Sequence, residues 1–198
     1  MIKDLKLIIC SYFTLEEILT IFKSNIFLRK KLISKYYRRL PDFYDQCKKG
    51  NLETIQYFMT EKIIPASHAI TSASRYGHLE IVKYLCEKGI KPNIYALEYA
   101  GEEGYLEIVE YLISIGLKPN SDCIDWTCKN GHLEIIKCLF NNGAKPTSQA
   151  IFLASKYGYL DVVKFLLQNN ITPTPFGMID IRKFGNPKVL QFLKSEGY

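Results

Sequence analysis

Glycine recurs in this chain with a period that never slips: Gly50, Gly77, Gly104, Gly131, Gly158 and Gly185 stand 27 residues apart. An apolar frame travels with it. Two residues on come Leu52, Leu79, Leu106, Leu133, Leu160 and then Pro187. Five on come Ile55, Val82, Val109, Ile136, Val163 and Leu190, and eight on come Phe58, Leu85, Leu112, Leu139, Leu166 and Leu193. A second glycine follows at Gly89, Gly116, Gly143 and Gly197, with Lys62 and Asn170 in the other two units. A proline comes three residues later at Pro65, Pro92, Pro119, Pro146 and Pro173. Such a period marks a solenoid, in which a unit buries its apolar face only against its neighbours.

Each unit reads as two short helices. Apolar residues at offsets 2, 5 and 8, with 4 and 7 largely apolar or aromatic, trace one helical stripe. The second glycine suits the left-handed residue that ends this trailing helix, and the proline keeps it from restarting. Asn93, Asn120, Thr147 and Thr174 then stand as N-caps for the next leading helix, with Pro175 suited to its first turn. Ahead of the first glycine lie small residues: Ala73, Ala100, Thr127 and Ala154 at four before, and Cys47, Ser74, Gly101, Cys128 and Ser155 at three before. These let neighbouring leading helices approach closely. The last unit replaces the small pair with Ile181-Arg182, as expected of a terminal cap.

The run AITSASRYGHLEIVKYLCEKGIKPN resembles the ankyrin repeat, whose helices carry a similar A-A-x-x-G-H-L-E-x-V-x-x-L-L-x-x-G-A sequence. The resemblance covers residues 42–198 and implies a helical solenoid that binds a protein on its concave side. One departure stands out: the family's usual period is about 33 residues. The missing residues fall where the family forms a β-hairpin finger, leaving a normal helix–helix link. The expected fold is therefore all-α, about six helix-turn-helix repeats without fingers over residues 41–198. Short-period arrays of this composition resemble those encoded by giant DNA viruses of amoebae.

Residues 1–40 differ in character. They carry nine Lys/Arg against three Asp/Glu, whereas residues 41–198 carry seventeen of each. Three helices are expected there, the second opened by a capping box at Thr14-Leu15-Glu16-Glu17. The run DLKLIICSYFTLEEILTIFKSNIFLRKKL resembles an F-box, with Leu5, Ile9, Tyr12, Phe13, Glu17, Ile18 and Leu19 at corresponding positions. It lacks the Leu-Pro start and the third-helix Trp, which Phe27 or Leu28 would replace. The resemblance implies docking to a Skp1-type adaptor of a ubiquitin ligase through Leu5, Ile9, Tyr12, Phe13, Ile18 and Leu19. The alternative is a helical cap on the solenoid.

Several functions find no support in the residues. No apolar run approaches the roughly 18 residues of a membrane span, and the N-terminus does not read as a secretory signal. An intracellular monomer, in the host cytoplasm, is expected. Cys123, Cys128, His132 and Cys138 lack the paired spacing of a zinc site. In register, Cys123 takes the slot of Ala69, Ala96 and Ala150, Cys128 that of Ser74 and Ser155, and Cys138 that of Tyr84 and Tyr111. The glycines are helix ends rather than a phosphate loop, so neither catalysis nor a cofactor is expected.

What remains is a surface. The two residues before each glycine vary while the frame stays fixed: Lys48-Lys49, Arg75-Tyr76, Glu102-Glu103, Lys129-Asn130, Lys156-Tyr157 and Lys183-Phe184. Tyr99 and Trp126 stand five before the glycine, and His68 and Tyr95 nine before. Tyr, Trp and Arg are the commonest interface anchors. The candidate protein-binding residues are Arg75, Tyr76, Tyr95, Tyr99, Trp126, Lys129, Lys156 and Tyr157, with Tyr99 and Trp126 alternatively filling space between helices. A second reading makes the basic third helix of residues 1–40 a module for nucleic acid or an acidic membrane surface, although no nucleic-acid fold signature accompanies it.

Overall fold

The structure, a computed structural model, describes residues 43–60 and 67–198. The expectations for residues 1–40, for Lys62 and for Pro65 lie outside the described residues. Among the described residues there are twelve helices and no strand. They form six pairs: α1 (Phe43–Lys49) with α2 (Leu52–Thr60), α3 (His68–Arg75) with α4 (Leu79–Glu87), and α5 (Ile94–Glu103) with α6 (Leu106–Ser114). There follow α7 (Ser121–Asn130) with α8 (Leu133–Asn141), α9 (Ser148–Tyr157) with α10 (Leu160–Gln168), and α11 (Pro175–Phe184) with α12 (Pro187–Ser195). The fingerless array is borne out in the links described.

Each leading helix packs along its neighbouring leading helices, and successive trailing helices touch more sparsely. The small residues explain this. Ala73, Ala100, Thr127 and Ala154 are fully buried, as are Ser74, Cys128 and Ser155. A methyl added to Gly101 would meet Thr127 Oγ1 of the next unit at 2.6 Å.

The trailing helices bury a larger stripe, but its centre is shifted from expectation. Offsets 4, 5 and 8 are buried, as in Ile81, Val82 and Leu85 or Ile108, Val109 and Leu112. The leucines at offset 2 are only half-buried, because they lie at the first turn, beside solvent. Leu85, Leu112, Leu139 and Leu166 are fully buried, each worth about 1.5–3 kcal/mol. Leu190 is half-buried where its counterparts in the other units are sealed.

The expected N-caps form. Asn93 accepts from Ala96 N at 3.3 Å, Asn120 from Cys123 N at 2.9 Å, Thr147 from Gln149 N at 3.1 Å and Thr174 from Gly177 N at 3.0 Å. They have a second duty that the cap pattern does not reveal, since three of them tie to the preceding leading helix. Thr71 Oγ1 donates to Asn93 Oδ1 at 2.9 Å, Asn120 Nδ2 to Glu98 Oε1 at 3.5 Å, and Thr147 N to Asp125 Oδ1 at 2.9 Å. Burial pushes the Asp125 carboxyl above its usual range, and its hydrogen bonds with Thr147 partly offset that. Phe152 stands at the equivalent position of the fifth unit, and the ladder stops there.

Two glycine types do different work. Gly116 has φ +96 and open space where a side chain would be. Its N–H donates to Ile113 O at 2.9 Å and Leu117 N to Leu112 O at 3.1 Å, the paired bonds of a Schellman ending. Gly104 also has a positive φ, +93, but the ring of His132 from the next unit covers it, 2.7 Å from an ideal Cβ. The overlay recurs, with Tyr105 over Gly77 and Tyr159 over Gly131. His78 stands at the start of α4. It holds the N-cap position without a side-chain capping bond. Its ring lies over Gly50 and Nε2 donates to the Lys48 carbonyl at 2.8 Å. The residue after the glycine is therefore a clasp between units.

Candidate protein-binding face

On a leading helix, positions nine, six, five, two and one before the glycine fall on one side at 100° per residue. The opposite side is packed, as in Ala96, Leu97, Ala100 and Gly101 of α5. The exposed side therefore carries the variable residues on a frame fixed from behind. Tyr76, Tyr95, Trp126 and Tyr157 are all exposed, Tyr95 at 57% and Trp126 at 44% of their full areas. Tyr99 is half-buried. Space-filling thus does not account for Trp126, and accounts for part of Tyr99.

The basic candidates rest on these rings. Arg75 lies over Tyr99 with its guanidinium carbon 4.8 Å from the ring centre, and Lys129 lies over Trp126 at 5.3 Å. Lys48 reaches Tyr76 of the next unit at 5.0 Å, and Lys156 reaches Tyr157 at 5.6 Å. Such contacts hold long side chains in place at exposed sites, for about 0.5–1 kcal/mol each. Arg75 and Lys129 also meet acids of the third unit, Arg75 Nε to Glu103 at 3.7 Å and Lys129 Nζ to Glu102 at 3.0 Å. The hydrogen bond that Lys129 donates to Glu102 raises the Lys129 pKa, keeping its ammonium charged.

The eight candidates therefore sit on α3, α5, α7 and α9 or at their C-terminal ends, along one side of the stack. Three residues of similar standing escaped the candidate set. Phe176 is 81% exposed, and Ile179 and Phe184 are exposed beside it on α11. Register holds the signal: Phe176 stands nine before its glycine as Tyr95 does, and Phe184 one before as Tyr76 does. The six adaptor candidates, Leu5 to Leu19, lie outside the described residues.

The cysteines follow their register slots in part. Cys123 and Cys128 are fully buried, and desolvation raises both thiol pKa values, that of Cys123 to about 12. Cys86 and Cys138 are only half-buried, at the margin of the apolar stripe rather than within it. Among the described residues no group of three or more His, Cys, Asp or Glu is placed to hold a metal. Nor is any helix among them long and apolar enough to cross a membrane.

Comparison with known proteins agrees with the architecture. The family description "Ankyrin repeats (3 copies)" matches residues 44–123 and again 97–177. Repeats of this kind generally mediate protein–protein interaction, and the proteins they build are typically non-enzymatic scaffolds. No curated protein sequence gives a significant match. Among solved structures, the crystal structure of the human ASB11 ankyrin repeat domain superposes with a TM-score of 0.67, at 18% identity. The match covers 80% of this chain and 85% of that one, a likeness of fold. With residues 44–177 matched in two overlapping spans, the chain belongs to the ankyrin repeat family.

Proposed function

We propose that the array holds a partner protein on its concave side, against the exposed faces of its leading helices, and that residues 1–40 connect that partner to a host ubiquitin ligase. The observation that carries the first part is the placement of Tyr76, Tyr95, Trp126 and Tyr157. Four large aromatic groups stand exposed along one side of helices whose other side is fully packed. Aromatic anchors backed by a rigid frame are what hot-spot binding requires. The acids in the middle of this side, Glu98, Glu102, Glu103 and Asp122, favour a protein over a polyanion such as nucleic acid.

The second part rests on the F-box resemblance, with Leu5, Ile9, Tyr12, Phe13, Ile18 and Leu19 forming the adaptor-binding surface. In this reading the chain is a viral substrate receptor acting in the host cytoplasm, where the repeats select the target. The test compares full-length protein with residues 41–198, checked for folding, against a purified Skp1-type adaptor. Binding by the full chain alone supports the receptor reading. Equal behaviour of the two proteins reduces residues 1–40 to a cap.

A further inference from the structure

The two ends of the candidate face are chemically unlike. In the second to fourth units, the cations are neutralised from within: Arg75 by Glu103 and Lys129 by Glu102. In the last two units they are not. Lys156, Arg182 and Lys183 are exposed and have no carboxylate within ion-pair distance among the described residues. Lys156 lies over Tyr157 at 5.6 Å and Lys183 over Phe184 at 5.0 Å, so each ammonium is held by a ring rather than by an acid.

This end also concentrates exposed apolar groups. Phe176, Ile179 and Phe184 project from α11, and Tyr157 ends the adjoining α9. Phe176, Ile179 and Lys183 follow the i, i+3, i+7 spacing of one helical stripe, while Met178 and Ile181 are packed on the other side. Covering a Phe as exposed as Phe176 removes a large apolar area from water and so favours whatever covers it. The acid on the stripe is Asp180, which leaves the patch with a net positive charge.

We infer that this C-terminal patch docks an acidic, aromatic- or aliphatic-bearing segment of the partner protein, its carboxylates meeting Lys156 and Lys183 and its apolar groups covering Phe176 and Ile179. The inference rests on the leading-helix reading above and specifies the partner's chemistry at one end of it. Charge complementarity selects this occupant. A second copy of the chain, related by two-fold symmetry, would set Lys156, Arg182 and Lys183 against like charges. A basic segment such as residues 1–40, with nine cationic and three acidic side chains, is disfavoured for the same reason.

The test is selection of a random peptide display library on the full-length chain, followed by titration of the enriched peptides as labelled synthetic peptides. The expected sequences combine Asp or Glu with Phe, Leu or Trp, and bind less tightly as salt rises. Lys156→Glu with Lys183→Glu weakens them about tenfold or more, and so does Phe176→Ser with Ile179→Ser. These four side chains are exposed, so the variants fold, as circular dichroism would verify. Enrichment of basic or uncharged peptides overturns the inference, as does failure to enrich any. Binding lost only with Tyr95→Ala and Trp126→Ala overturns it while leaving the leading-helix reading intact. Indifference to all three pairs overturns both. Concentration-dependent dimerisation abolished by Phe176→Ser would assign the patch to self-association and likewise overturn the inference.

Discussion

Leading and trailing helices obey the same repeat yet divide its labour. From the second unit to the fifth, a trailing helix devotes its variation to nothing visible: isoleucine, valine and leucine at offsets 4, 5 and 8 recur and are buried. A leading helix packs through Ala, Ser, Gly or Cys, so its core is thin and its neighbours close, and its other side is left free to differ. The contrast teaches where to look for function in an array whose frame is constant. Stability is distributed along the trailing stripe and the inter-unit clasps, and the proposed function gathers recognition on the leading helices.

The two glycine types give the widest separation between these roles. Gly104→Ala forces a methyl into the His132 ring at positive φ and should cost about 3 kcal/mol. Gly116→Ala meets no neighbour and should cost about 1 kcal/mol, from backbone strain alone. Asn170, with φ 62, already shows a non-glycine residue tolerated in that slot. Urea unfolding of the two variants measures the difference, and equal costs would remove the clasp from the account.

Next in size is an alkaline effect carried most strongly by two buried thiols of the leading helices. Folded Cys123 and Cys128 stay neutral well above pH 9, whereas unfolded thiols ionise near 8.5. The unfolded state then binds fewer protons, so stability falls as pH rises through that window, by up to about 1.4 kcal/mol per unit from each thiol. Cys128→Ala should flatten the stability–pH curve between pH 9 and 11. In the native protein, iodoacetamide should modify Cys86 and Cys138 ahead of both.

Ser155 occupies the slot of Cys128 and has a buried hydroxyl without a hydrogen-bond partner, as does Ser74. Ser155→Ala should therefore stabilise the array by about 1 kcal/mol, where most buried substitutions destabilise. The smallest expected effect is the most informative about recognition. Trp126→Ala should cost about 0.5–1 kcal/mol, what its contact with Lys129 supplies at a partly exposed site. A larger loss would return Trp126 to a structural role.

Most of the fold was legible because each repeat tests the reading of the others. Period 27, the caps at Asn93, Asn120, Thr147 and Thr174, and the absence of fingers followed from register. The clasps did not, since a ring packing on a glycine of the preceding unit couples positions 28 residues apart, as His132 and Gly104 are. The offset pattern showed which positions were apolar but not that offset 4 lies deeper than offset 2, which depends on how neighbouring units tilt together. For the face, register located Tyr95 and Trp126 but left their exposure open. It also held the signal for Phe176, at the same offset as Tyr95, beyond the departure of the last unit from the small-residue pattern.

The division of labour is tested most directly by site-specific photo-crosslinking in cell extract. A benzophenone side chain is placed in turn at Trp126 and Tyr157 on the leading helices, and at Glu107 and Glu134 on the trailing ones. All four side chains are exposed. The account predicts a discrete protein adduct from Trp126 and Tyr157 and none from Glu107 or Glu134. Adducts formed equally from both sets, or only from the trailing positions, would contradict it.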